Sequence, residues 1–117
     1  MATLVRSPYA EMVMDLVQKL GIDNDTLALA VGTDKRTVKR WLEEGHNPQE
    51  RHLERLSALV VVKDHLLETF DNDKTIHRWI ARESRYLGNM SPCNALRAGR
   101  IDRVEGALVA LDEGTFI

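Results

Sequence analysis

The chain has few of the features that mark secreted or membrane proteins. Among its 117 residues Cys93 is the single cysteine, so an internal disulfide is excluded and a reducing compartment is expected. No apolar run reaches the roughly 18 residues of a membrane helix, and the longest is ALVVV at 58–62. The N-terminus lacks the basic start and apolar block of a signal peptide. We therefore expect a cytoplasmic protein without a membrane partner.

Aromatic residues and net positive charge are also scarce. Phe, Trp and Tyr make up 5% of the sequence, so a chain of 13.3 kDa must build a small, mostly aliphatic core. The formal net charge of -2 does not favour nucleic acid. The local distribution of charge does favour nucleic acid, because residues 35–40 read KRTVKR and carry four positive charges.

The sequence predicts an all-α fold, since helical periodicity recurs along the chain and strand patterns are nearly absent. Asp23 and Asp34 are expected to cap the second and third helices. A long fourth helix is expected over 49–70, with Asn47 as its cap and Pro48 at its first position.

Two segments joined by this long helix are predicted. The polar DNDKT cluster at 71–75 is the one plausible internal boundary, and it can cap a fifth helix. Residues 1–70 would form an N-terminal helix-turn-helix bundle with the long linking helix, and residues 71–117 a small C-terminal helical domain. The cluster also begins like a calcium loop, but Ile76 replaces the required Gly and Arg82 the terminal Glu, which favours capping.

The third predicted helix has a cationic face. Four side chains share a sector of about 140° on the helical wheel: Lys35, Arg36, Lys39 and Arg40. Three apolar side chains lie on the far side: Val38, Trp41 and Leu42. Like charges four residues apart cost a few tenths of a kcal/mol, which favours an anionic partner over a merely solvated face. We predict that the four cations contact DNA and that Thr37 contacts a phosphate.

The surrounding segment resembles the Xre-type helix-turn-helix of bacterial repressors. Ala28 is small where the two helices would cross, and Gly32 lies at the turn between them. Val38 and Trp41 follow at positions that hold the second helix against the first. The resemblance implies binding to operator DNA as a dimer over two half-sites.

The second half carries IHRW, YLGNMSP, NALRAG, RVEGALVAL and DEGTFI, in that order. This pattern resembles the C-terminal domain of the MbcA/ParS/Xre antitoxin family. The matching positions are Trp79, Leu87, Gly88, Ser91, Pro92, Leu96, Gly99, Val104, Leu108 and Gly114. Asn89 stands where many members have a second Gly, and Ile80 where Leu is usual. The resemblance implies an antitoxin that neutralises a NAD-degrading RES-domain toxin by direct binding and represses its own operon.

In the MbcA-like branch of that family, the C-terminal end of the antitoxin enters the active-site cleft of the toxin. The toxin-binding residues would then be the final six: Asp112, Glu113, Gly114, Thr115, Phe116 and Ile117. Gly114 can release the chain from its helix, and the terminal carboxylate can meet a cationic residue of the toxin. The alternative is that Phe116 folds back onto the core of its own chain.

Other features of the sequence predict no enzyme. No nucleophile, base and orienting group can be assembled, and no cofactor is indicated. The four histidines lack ligand spacing and are expected at the surface, without metal. Gly106 within a helix suggests close approach of another helix, and the apolar residues 59–62 suggest either a dimer interface or plain burial. The competing functions are a plain dimeric Xre-type repressor and an interaction module that no longer binds DNA.

Overall fold

The computed structural model describes residues 6–114, and in that range the chain forms helices and no strand. The predicted all-α fold is confirmed. Seven helices occur in the described range: α1 Ala10–Leu20, α2 Asn24–Ala30, α3 Lys35–Glu43, α4 Glu50–Thr69, α5 Asp73–Ala81, α6 Pro92–Arg97 and α7 Ile101–Asp112. None of these helices combines the length and the apolar character needed to cross a bilayer.

Short polar side chains begin four of the helices. Asp23 accepts from the Thr26 amide and Asp34 from the Thr37 amide, each at 2.8 Å, as predicted. Asn72 and Ser91 cap α5 and α6 in the same manner. The prediction for α4 was wrong, because Gln49 rather than Asn47 precedes its first turn. Pro48 is buried before the helix instead of opening it, and Gln49 keeps an extended backbone with ψ 161°.

The helices pack so that the first and second halves of the chain share one core. The α4 helix lies against α1 and α7, and α2 lies against α3 and α6. Buried aliphatic side chains from α1 to α7 form one continuous cluster that includes Leu16, Leu56 and Leu108. The helices therefore place α3 at one side of a core to which the C-terminal half also contributes.

Two arginines connect the halves through polar contacts. Arg55 of α4 donates to the carbonyl of Ala30 at 3.3 Å and to that of Gly99 at 3.2 Å. Arg97 of α6 donates to the Thr26 hydroxyl at 2.8 Å and forms an ion pair with Asp25 at 3.2 Å. Backbone carbonyls left open at the helix ends thus receive donors from distant segments.

Two features interpreted from the sequence as possible dimer contacts have partners within the chain. The side chain packed against Gly106 is Tyr86, from the loop between α5 and α6, so the expected neighbouring helix is wrong. Within residues 59–62, Leu59 and Val62 are buried and Val61 is 57% exposed. Leu59 and Val62 therefore belong to the core, and the choice between burial and a dimer interface stays open for the exposed Val61.

Candidate functional site: the cationic side of α3 and the end of α7

The α3 helix is held in place by its capping residue and its apolar side. The bond from the Thr37 amide to Asp34 lowers the pKa of this carboxyl group and satisfies an otherwise unpaired amide of the first turn. Val38 and Trp41 are fully buried, and Leu42 is partly buried against the same core. This anchoring turns the opposite side of α3 outward.

The structure divides the predicted DNA-binding residues between two grooves. Lys35, Arg36 and Lys39 line one groove beside α2, together with Leu42 and Glu43. Thr37 and Arg40 line the other groove, beside the first turn of α4. The five side chains therefore surround the outer half of α3 and do not form a single cluster.

The positive charges of α3 are largely free of carboxylates from the same chain. Lys39 approaches Glu43 at 3.8 Å, but Lys39 is 66% exposed and such pairs are weak. Within residues 6–114, Lys35, Arg36 and Arg40 form no salt bridge. Weaker attractions also reach Asp23 and Asp34, whose pKa values are lowered in part by nearby cations of α3. Outward cations that are at most weakly paired are suited to neutralising phosphates, and their contact with DNA stays a prediction.

At the other end of the molecule, the structure describes half of the predicted toxin-binding tail. Asp112, Glu113 and Gly114 are exposed at the end of α7, and Gly114 has a φ of +72°. That left-handed backbone lets the chain leave the helix axis. Thr115, Phe116 and Ile117 lie outside the described residues, so the choice between the toxin-blocking tail and the folded-back Phe116 stays open.

Asp112 is attached to α4 through His65 and Thr69. When it is protonated, the imidazole of His65 donates through Nε2 to Asp112 and through Nδ1 to Glu105 at 2.6 Å. The Thr69 hydroxyl donates to the second oxygen of Asp112 at 3.1 Å. The bond to Asp112, aided by Glu105, raises the pKa of His65, and the bond from His65 lowers the pKa of Asp112. These contacts determine where the tail begins.

The histidines do not lie as the sequence suggested. His46 is exposed as expected, but His52 is buried, and His65 and His77 make bonds between helices. Each has neighbours from distant segments, which sequence spacing does not reveal. No group of metal-ligating side chains occurs in the part of the chain that the structure describes. Sequence reasoning did not single out Arg51 and His52, which line the groove beside α4 together with Arg40.

The chain is similar to known antitoxins over nearly its full length. No family profile matches the chain. The mycobacterial cidal antitoxin MbcA of Mycobacterium tuberculosis and that of Mycobacterium bovis are each 29% identical to it over 108 residues, or 92% of this chain and 95% of the relative. One chain of the crystal structure of the M. tuberculosis MbcT–MbcA toxin–antitoxin complex matches with a TM-score of 0.68 and 27% identity, over 95% of this chain and 99% of that chain.

The chain is a homologue of the MbcA antitoxin. Both matches extend over nearly the full length of each partner, so the homology includes α3 as well as the C-terminal helices. The antitoxin family expected from the motifs between Trp79 and Gly114 is thereby confirmed.

Proposed function

We propose that this MbcA homologue is the antitoxin of a type II toxin–antitoxin pair, acting in the cytoplasm and without catalytic activity of its own. The observation that carries the proposal is the near full-length match to MbcA and to a chain of the MbcT–MbcA complex. The partner would be a RES-domain toxin that degrades NAD, as the C-terminal motifs imply.

In this proposal the two segments of the chain have different roles. Residues 71–117 bind the toxin, and the tail after α7 blocks its active site. The exposed end of α7 supports this role, because the left-handed backbone of Gly114 ends the helix at the surface. Residues 1–70 repress the operon as a dimer, with the α2–α3 pair as a DNA-binding helix-turn-helix. The outward cations of α3, of which only Lys39 forms a salt bridge within the described residues, support that second role.

The tail is tested by deleting residues 114–117 and co-expressing the shortened chain with its toxin. We expect toxicity to return, measured as growth arrest and loss of cellular NAD. The fold should be retained, because the last helical residue, Asp112, remains bonded to His65 and Thr69. An unchanged thermal unfolding temperature would show that the deletion acts on the toxin and not on folding.

The matched control replaces residues 114–117 by a Gly-Ser segment of equal length. It should fail to neutralise the toxin as the deletion does, because the length is restored but Phe116 and the terminal Ile117 are not. Full neutralisation of the toxin by both variants would show that the tail is not the inhibitory element and that the helices make the inhibitory contacts.

A further inference from the structure

A second groove, separate from the three cations beside α2, lies between α3 and the start of α4. Its volume is about 240 Å³, and its lining includes Thr37 and Arg40 from α3 and Gln49, Arg51 and His52 from the start of α4. None of the lining residues that the structure describes is a carboxylate. The groove is therefore polar and cationic in a chain whose net charge is -2.

Its two guanidinium groups are not held by a carboxylate at salt-bridge distance in the described chain, although Arg40 helps to lower the pKa of Asp34 through a longer-range attraction. Arg40 and Arg51 form no salt bridge there, whereas Arg97 is paired with Asp25 and Lys63 with Asp15. Arginine presents several N–H donors in one plane, which matches the oxygens of a phosphate. Two such groups lining one groove favour an anionic ligand over solvation alone.

His52 supplies an independent observation. It lines the groove but is only 4% exposed, and its ring packs on the indole of Trp41 with centroids 5.5 Å apart. Neither Nδ1 nor Nε2 has a hydrogen-bond partner in the described structure. Buried polar atoms are nearly always paired, and an unpaired one lowers stability. Burial and the charge of Arg51 lower the pKa of His52, so the neutral ring retains one N–H donor.

The direction of α4 adds to this positive potential. The helix has 20 residues, and its N-cap, Gln49, makes no side-chain capping bond. The first-turn amides of a helix carry partial positive charge and favour anions. Arg51 and His52 belong to that turn and line the groove, whereas the exposed carboxylate of Glu50 in the same turn is not part of the lining.

We propose that this groove binds a phosphate group, with the guanidinium groups of Arg40 and Arg51 as charge partners and His52 as a donor whose covered ring nitrogens must first be opened to the groove. The natural ligand rests on the proposed function: it is a phosphodiester of the DNA backbone, contacted beside the predicted α3 surface. Inorganic phosphate has the same chemistry and serves as the probe for the groove alone.

The first experiment titrates inorganic phosphate into the full chain and follows the imidazole resonances of His52 by NMR. We expect these resonances to shift saturably, and Arg51→Gln to weaken the phosphate affinity about tenfold, as expected for one charge-assisted contact. Arg78→Gln, an exposed arginine on α5, is the matched control and should leave the affinity unchanged.

A second variant, His52→Phe, separates binding from folding. The phenyl ring retains the packing on Trp41 and removes two unpaired nitrogens. We therefore expect a higher unfolding temperature together with weaker phosphate binding. If His52→Phe binds phosphate as tightly as the native chain, or if phosphate leaves the His52 resonances unmoved, the groove is not a phosphate site.

A separate experiment with DNA measures how the affinity for a non-specific duplex depends on salt concentration. The slope of log K against log salt should fall by about 0.9 for Arg51→Gln and remain unchanged for Arg78→Gln. If the chain binds phosphate but no DNA, the groove is a site for free phosphate, and the DNA part of the proposed function is rejected. If the chain binds DNA tightly, but Arg51→Gln keeps the native slope and phosphate causes no shift at His52, the phosphate site is rejected and DNA binding is not.

Discussion

Gly106 lies in the middle of α7, where the side chain of Tyr86 covers its Cα. A Cβ added there would stand 2.7 Å from the Tyr86 hydroxyl oxygen and 3.3 Å from two ring carbons. Tyr86 is itself held in place, since the Arg103 guanidinium lies 5.6 Å from its ring centroid and donates to its carbonyl at 3.3 Å. The glycine therefore leaves room for a side chain that connects the loop before α6 to α7.

We expect Gly106→Ala to lower the free energy of unfolding by about 1 kcal/mol, because overpacking against Tyr86 exceeds the gain in helix propensity. In a Tyr86→Leu background, the same change should raise the free energy of unfolding by about 1 kcal/mol, since only the propensity gain remains. Urea denaturation of the four proteins measures this coupling. Equal effects of Gly106→Ala in both backgrounds would show that Tyr86 does not restrict this site.

At the scale of the helices, His65 determines how α4 and α7 are joined near the tail. Its ring donates to Glu105 and to Asp112, which lie two turns apart on α7. Each carboxylate is attracted most strongly to the protonated imidazole, and this attraction is one reason why the pKa of His65 is raised. The bridge therefore contributes most to stability when His65 carries a proton.

The pH dependence follows from the two pKa shifts. The pKa of His65 is raised above its usual 6.5, so its contribution is complete below about pH 6.5 and is lost as pH rises through the folded pKa. The pKa of Asp112 is lowered, so its contribution is present above its usual value, 3.8, and is lost as pH falls through the lower folded value.

We expect His65→Gln to lower the unfolding temperature by a few degrees near pH 5.5 and by less at pH 9, because the contribution of the protonated imidazole is lost as pH rises through the raised folded pKa. Calorimetry at both pH values measures the difference, and the exposed His46→Gln is the matched control. If His65→Gln lowered the unfolding temperature equally at both pH values, the contribution of His65 would come from packing and not from its charge. In the proposed function, the same substitution should loosen the start of the inhibitory tail.

At the scale of the whole molecule, charge distribution matters more than net charge. The chain carries -2 overall, so its long-range field does not attract DNA. Within a Debye length of about 10 Å at 0.1 M salt, however, a phosphate near α3 would meet four cations of that helix, whose carboxylates lie mainly at its two ends. The proposed repression of an operon thus depends on local contacts.

Replacing Lys35 and Lys39 by Ala should weaken DNA binding and reduce its salt slope by about 0.9 for each phosphate that is no longer neutralised. Both residues are exposed and lie away from the groove of Arg40 and Arg51, so the core is left intact. Lys74→Ala on α5 removes an exposed lysine elsewhere and should have no effect on the slope. A double variant with the native slope would exclude Lys35 and Lys39 from the DNA interface.

The shared core gives the two proposed functional segments a common folding unit. Helix α6 packs on α2 through Arg97, and α7 packs on α4 through His65. Strain introduced at either end can therefore reach the other through packed helices. The two roles proposed for residues 1–70 and 71–117 would therefore use different surfaces of a molecule with one continuous core.

The sequence by itself determined the helical fold, several helix starts and the outward cations of α3. Each depends on local physics: the side chain of Asp34 reaches the amide of Thr37 three residues on, and Val38 and Trp41 share one side of the helix by periodicity. The order of motifs from Trp79 to Gly114 was also enough to predict the antitoxin family, because those residues mark turns and packing positions that recur together.

The tertiary structure alone decided which distant side chains meet. Lys63 interrupts the apolar pattern of α4 in the sequence, and the fold pairs it with Asp15 of α1 at 3.0 Å. His52 becomes buried against Trp41, and His65 joins two carboxylates of α7. Neither periodicity nor spacing contains this information, because such contacts depend on how helices far apart in the chain are brought together by the burial of their apolar sides.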